Sequence, residues 1–160
     1  MHDGAVPETV GKEAVGHTLV DPPVPQADEM SAPFWVAAAQ HRLTFQRCCH
    51  CGTFSHPPVD FCASCHRVDE PAFAYEEVSG RGRLVNWTVV HDAMVRGFGP
   101  EPWVHALVEL EDQEGLLYAA TLVDGPDFPL TVGAMVEVVF KDVDAQVGLP
   151  QFRLECGATG

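Results

Sequence analysis

A chain of 160 residues with a net charge of −14 has room for one domain, or a small domain with an appendage, and none for a large multidomain core. Nine Lys and Arg face 23 Asp and Glu, which disfavours any partner held mainly by its phosphates. No apolar run approaches the ~18 residues a transmembrane helix needs, and Met1 to Val20 lacks the basic patch and apolar core of a secretory signal, so a cytoplasmic protein off the membrane is expected.

Residues 1–30 carry Pro7, Pro22, Pro23 and Pro25, few large apolar side chains and a net −5. They show neither helical nor strand periodicity, which predicts an irregular N-terminal extension. Ser31 can then cap a helix, with Pro33 in the first turn, where proline is tolerated. Trp35, Ala39 and Leu43 fall four apart on one face, so the spacing predicts about three turns over residues 34–43. Phe34 and Trp35 are read as core.

Of the six cysteines, Cys48, Cys49, Cys51, Cys62 and Cys65 lie within 18 residues, and Cys156 stands alone. Cys48-Cys49-His50-Cys51-Gly52 and Cys62-Ala63-Ser64-Cys65 form two CxxC turns separated by ten residues. Two residues between cysteines let both sulfurs of one turn face the same ion, and two such turns supply the four thiolates of a tetrahedral zinc site. Gly52 can take the backbone angles that such a turn needs. Cys48, Cys51, Cys62 and Cys65 are therefore the expected ligands of one structural Zn2+. Four thiolates leave no open coordination position for chemistry. The same sulfurs would also hold iron, and a redox dithiol is the rival reading. Cys49 is out of register, and His50, His56 and His66 read as surface residues. Residues 31–73 are electrically neutral.

From Glu76 onward the pattern alternates. Val85, Trp87 and Val89 form one set; Val104, Ala106, Val108 and Leu110 the next; then Leu116, Tyr118, Ala120 and Leu122; then Val136, Val138 and Phe140; Phe152 and Leu154 close it. Gly- and Asp-rich breaks separate them, which predicts about five short strands in a small closed barrel or sandwich. This part carries −9.

Catalytic residues are expected to be none. The chain holds no GxSxG, Walker loop, strand-borne GxGxxG or HExxH. Glu109 and Glu111 share a strand face but read as an exposed surface, and His91 and His105 as structural histidines.

The motifs together carry a resemblance. Their order is Phe34-Trp35, then Gln46-Arg47-Cys48-x-x-Cys51-Gly52, Pro57-Pro58, Cys62-x-x-Cys65 and Ser79-Gly80-Arg81-Gly82. Ala106-Leu107-Val108-Glu109-Leu110, Val132-Gly133-Ala134-Met135-Val136 and Leu149-Pro150-Gln151-Phe152-Arg153 complete it. This set, spanning residues 31–155, resembles the rubredoxin-type zinc-ribbon plus OB-fold family that accompanies thiolase-fold and lipid-transfer-type acyl-CoA enzymes. The resemblance implies a mainly β chain with an N-terminal helix, a zinc ribbon and a five-stranded OB-fold barrel. The division is then 1–30 extension, 31–73 helix and ribbon, and 74–160 barrel with a C-terminal tail.

It also implies a non-catalytic subunit of a thiolase-type heteromer, an acyltransferase or an aldolase, that supports acyl-CoA binding and partner assembly in an α2β2 arrangement. Coenzyme A is a polyanion and needs a local cationic spot, for which Arg81, Arg83 and Arg96 are candidates, with Phe98 and Trp103 beside the ligand surface. Two departures from the family pattern stand out. The second knuckle continues Cys65-His66 where glycine is usual, and Pro102-Trp103 replaces Pro-Tyr. The alternatives are a nucleic-acid-binding OB module, which the acidic barrel opposes, and a stand-alone acyl-CoA-binding protein.

Overall fold

The computed structural model describes residues 23–92 and 102–155. Among the described residues, one helix, α1 (Ala32–Ala38), precedes eight strands. A turn prepares it: the Asp28 carboxylate accepts from the Ser31 amide (2.7 Å) and hydroxyl (2.6 Å), and the Asp28 amide donates to Ser31 Oγ (3.1 Å). Ser31 occupies the N-cap position, but its side chain is spent on this turn and caps no helical amide.

The helix is seven residues long, shorter than the three turns expected. His41 takes φ 57°, in the left-handed region. His41 N bonds Ala38 O (2.9 Å) and Arg42 N bonds Ala37 O (3.0 Å), a Schellman-type stop. A histidine there costs about 1–2 kcal/mol of backbone energy. Its ring offsets this by stacking on Phe140 (5.3 Å, 10°), with Nε2 placed 2.8 Å from Asp142 Oδ1. The buried face is Phe34, Ala37 and Ala38, and Leu43 is buried in the approach to the first strand instead of on the helix.

Strands β1 (Thr44–Cys48), β2 (Phe54–Ser55) and β3 (Phe73–Glu77) form an antiparallel sheet in the order β2-β1-β3. Strands β4 (Arg81–Val90), β5 (Trp103–Leu110), β6 (Leu117–Leu122), β7 (Met135–Asp142) and β8 (Gly148–Leu154) close a barrel in the order β4-β5-β6-β8-β7. Closure comes from β7 returning to β4, with Gly82 opposite Val136, and from one parallel pair, Leu122 with Phe152. The fold is thus mainly β, with one short helix, a ribbon and a five-stranded OB-like barrel.

The alternation expected of β4 is re-phased by a bulge between Leu84 and Asn86. Val85 is the extra residue, so Leu84 before it and Trp87 after it both serve the interior. The barrel core is Leu84, Val104, Val108, Leu122, Val136 and Phe152, all essentially inaccessible. Phe34 stacks on Phe45 (6.2 Å, 5°), and Phe45 meets Tyr118 (5.5 Å), so helix, ribbon and barrel share one continuous core. Burying each such ring stabilises the fold by about 1.5–3 kcal/mol. At Gly148, a Cβ would meet the Ala38 carbonyl oxygen at 2.3 Å, so only glycine lets β8 approach the end of α1.

Candidate metal centre

Each CxxC turn is built the same way. In the first, Gly52 N donates to Cys48 O (2.9 Å) with φ 75° at Gly52. In the second, His66 N donates to Cys62 O (2.9 Å) with φ 56° at His66. The fourth residue after the leading cysteine is left-handed in both, so histidine in place of glycine keeps the turn closed against its own steric cost. Arg47 braces the first turn: its Nε donates to Gly52 O (2.8 Å), and its guanidinium lies over the Phe54 ring at 5.1 Å. Gln46 braces the loop to the second, accepting from Val59 N (2.8 Å) and donating to Val59 O (3.0 Å).

These turns bring Cys48, Cys51, Cys62 and Cys65 together with all four sulfurs within 4.8 Å of one another. Cys48 and Cys65 sulfurs are 3.7 Å apart, and those of Cys51 and Cys62 3.5 Å. A tetrahedron with zinc–sulfur arms of about 2.3 Å has edges of about 3.8 Å, so the cluster has the size of a four-thiolate site. Its charge balance asks for a cation. The Thr53 hydroxyl and amide draw the Cys51 thiol down to about 6. The Cys65 and Ser64 amides lower Cys62. At Cys65 the Arg67 amide pulls the same way, but burial and the three neighbouring sulfurs overrule it and lift the thiol to about 11. A divalent ion relieves that conflict and turns all four into ligands. The donor set therefore fits one structural zinc, which would staple the two turns and hold no substrate.

The other residues near the motif have separate places. Cys49 is exposed and outside the cluster. His50 Nε2 lies 2.9 Å from Asp69 O. His56, expected at the surface, is instead half-buried among aromatic rings, 4.6 Å from Phe45 and 4.9 Å from Tyr118, and its burial lowers its pKa. It belongs to an apolar cleft of about 310 Å³ between α1, the ribbon and β6, lined by Phe34, Trp35, Phe45, Pro58 and Tyr118. Burial also raises the Tyr118 phenol, which stays protonated. The cleft's aromatic residues are scattered from position 34 to 118, so no local motif announces it.

Two of the three candidate cations, Arg81 and Arg83, are engaged. Arg83 donates from Nε and Nη2 to Glu109 Oε2 (2.9 and 2.7 Å), and Arg81 lies 3.0 Å from Glu155 and 3.8 Å from Glu111. The Gly115 amide and Arg83 together hold the Glu109 carboxyl below its ordinary range. Trp103 is partly buried at the start of β5, edge-on to His105 (5.8 Å). Arg96, Phe98 and Cys156 lie outside the described residues. Among the described residues, no helix is long and apolar enough to cross a membrane.

Comparison with known proteins agrees with this geometry. Residues 35–70 match the model of the ChsH2 rubredoxin-like zinc ribbon domain, and residues 75–141 that of the ChsH2 C-terminal OB-fold domain. The chain is 33% identical over 131 residues to a probable enoyl-CoA hydratase alpha subunit of Thermomonospora curvata, covering 82% of this chain and 39% of that protein. It is 34% identical over 97 residues to a DUF35 domain-containing scaffold protein of Methanocaldococcus jannaschii, covering 61% of this chain and 66% of that one. It thus spans about two-fifths of the first relative's length and two-thirds of the second's. Among solved structures, a chain of the Ltp2-ChsH2(DUF35) aldolase superposes with a TM-score of 0.71 at 31% identity, covering 81% of this chain and 98% of that one. With ribbon and barrel both matched in order, the chain belongs to the ChsH2/DUF35 family of zinc-ribbon plus OB-fold proteins.

Proposed function

We propose that this chain is the zinc-binding, non-catalytic subunit of a thiolase-type acyl-CoA complex, an acyltransferase or an aldolase, in which it assembles the partner and supports acyl-CoA binding. The observation that carries the reading is its match to nearly the whole length of one chain of the Ltp2-ChsH2(DUF35) aldolase. The name of the hydratase alpha subunit and the word scaffold in the archaeal relative's name point the same way. The site chemistry agrees: four thiolates saturate a zinc ion, so the metal holds shape and the reaction belongs to the partner. The helix and ribbon carry no net charge over residues 31–73, so they would repel a partner of neither sign.

Acyl-CoA divides between two kinds of surface in this reading. The apolar cleft suits an uncharged acyl group, since no cation lines it. The phosphates go to Arg81 and Arg83 at one end of β4, where binding must displace the carboxylates that now hold them; Trp103 pairs with Val90 at the other end of that strand and would meet a different part of the molecule.

The test is co-expression with the thiolase-fold protein of the source organism. Co-purification, together with acyl-CoA turnover that falls when this chain is omitted, supports the reading. A chain that elutes alone and leaves the partner's turnover unchanged contradicts it.

A further inference from the structure

The walls of the cleft between α1, the ribbon and β6 are rings. Phe34, Trp35, Phe45, His56, Tyr75 and Tyr118 supply flat ones, Pro57 and Pro58 add saturated ones, and no Leu, Ile, Val or Met lines it. The rings hold one another in place. Phe34 is edge-on to Trp35 (4.9 Å, 83°) and parallel to Phe45 (6.2 Å, 5°), and His56 is tilted against Tyr118 (4.9 Å, 54°). Such walls are set before a ligand arrives. Another flat π system gains offset-stacked or edge-to-face contacts on them beyond its buried area. A flexible chain gains less and loses more rotamer freedom on ordering.

Charge narrows the occupant. No Asp, Glu, Lys or Arg lines the cleft, and burial favours the neutral form of His56. A carboxylate or an ammonium would lose its water there and find no counter-ion. The occupant is therefore uncharged.

Hydrogen-bonding capacity narrows it further. Tyr75 spends its hydroxyl on Met30 O, Ser31 spends its own on Asp28, and Gln46 commits both ends of its amide to Val59. Tyr118 is the deeply buried exception. It is only 8% accessible, yet its hydroxyl bonds no group among the described residues. Nor is the oxygen sealed in the core, so it is reached from the cleft that the residue lines. Burial keeps the phenol protonated and hence a donor. A buried donor without a partner is costly, and an acceptor oxygen on a ligand removes that cost.

Size sets the scale. A volume of about 310 Å³ lies at the small end of ligand pockets, which span roughly 300–1,000 Å³. It suits a small fused ring system and leaves the nucleotide of a coenzyme A ester outside. We propose that this cleft binds an uncharged, flat aromatic ring bearing a carbonyl oxygen, which accepts from the Tyr118 hydroxyl. This rests on the reading of the cleft as the acyl pocket and names the acyl class that it selects.

The experiment titrates three uncharged probes into the full-length, zinc-loaded chain by calorimetry. Acetylnaphthalene is a flat ring ketone, isopropenylnaphthalene has the same outline with a methylene group in place of the oxygen, and decanone is a straight-chain ketone. Two variants accompany the wild type. Tyr118→Phe removes the hydroxyl and keeps the ring, and Ala119→Trp fills the cleft from an exposed position on β6. Zinc content and melting temperature should match wild type in both, since neither change breaks a side-chain hydrogen bond of the folded chain. Acetylnaphthalene is expected to bind about fivefold tighter than isopropenylnaphthalene, the difference that a single hydrogen bond makes. It should exceed decanone by at least about the same factor. Tyr118→Phe should bring the two naphthalenes level, and Ala119→Trp should abolish binding. Decanone binding as tightly as acetylnaphthalene overturns the aromatic class and leaves the acyl pocket standing. Acetylnaphthalene binding unchanged by Tyr118→Phe overturns the hydroxyl contact, and binding unchanged by Ala119→Trp overturns the site. No binding of any probe removes both the proposal and the acyl reading of the cleft, while the heteromeric reading stands or falls by co-purification.

Discussion

The side-chain amide of Gln113, in the β5–β6 turn, pairs with both backbone groups of Phe54 in the ribbon: Phe54 N donates to its Oε1 (2.8 Å) and its Nε2 donates to Phe54 O (3.1 Å). The side chain stands where a neighbouring strand would otherwise pair with β2. Beside it, Asp112 accepts from the Ser79 amide (3.0 Å) and hydroxyl (2.7 Å). One barrel turn therefore holds both the ribbon and the segment linking ribbon to barrel.

Gln113→Ala removes both of those bonds and leaves two partly buried backbone groups without partners. A loss of about 1–3 kcal/mol is expected, read as a lower melting temperature. Amide exchange should quicken at Phe54 and Ser55 and stay slow in the barrel core, while zinc content stays at one per chain.

Cys48→Ser and Cys62→Ser each remove one of the four sulfurs. The expected outcome is loss of zinc and unfolding of the ribbon, because metal-binding energy is folding energy there. Elemental analysis should give one zinc per wild-type chain and close to none in either variant. A wild-type chain without zinc would refute the metal assignment.

His66→Gly tests the left-handed position that closes the second turn. Relief of the steric cost, less the added freedom of glycine in the unfolded chain, should stabilise the protein by about 0.5–1 kcal/mol. Gly52→Ala places a Cβ 3.2 Å from Arg47 Nη2 at φ 75° and should destabilise it. Paired thermal melts of the zinc-loaded proteins give both signs.

Burial lowers the pKa of His56. Between that lowered value and the ordinary histidine value of about 6.5, the unfolded chain binds the extra proton and the folded chain does not. The stability contributed by neutral His56 is therefore complete above about pH 6.5 and declines as pH falls below it. His56→Phe keeps an aromatic ring against Phe45 and Tyr118 and should flatten the slope from pH 6.5 downward. Denaturant titrations of wild type and variant at matched pH isolate this effect, since acid weakening of the zinc site is common to both.

Much of the architecture was legible in the sequence because the signals were local. Two CxxC turns name, by spacing alone, the four cysteines whose sulfurs come together, and period-two runs around Ala106, Ala120 and Val136 mark barrel strands. What escaped depends on contacts between distant residues. The helix stops at Ala38 because His41 is caught by Phe140 and Asp142, about a hundred positions away. His56 reads as a surface residue because nothing next to it announces Phe34, Phe45 and Tyr118. Val85, Trp87 and Val89 look like one face until the bulge separates them. Gln113 and Gln46 give no signal at all, since an amide that mimics a peptide group looks like any polar residue in a turn.

In the proposed function this chain works as the zinc-stapled member of a heteromer. Native mass spectrometry of the chain co-expressed with the thiolase-fold subunit tests it most directly. The expected spectrum shows one species containing two copies of each protein and one zinc per copy of this chain. A spectrum with this chain as a free monomer beside an unaccompanied partner dimer would contradict it.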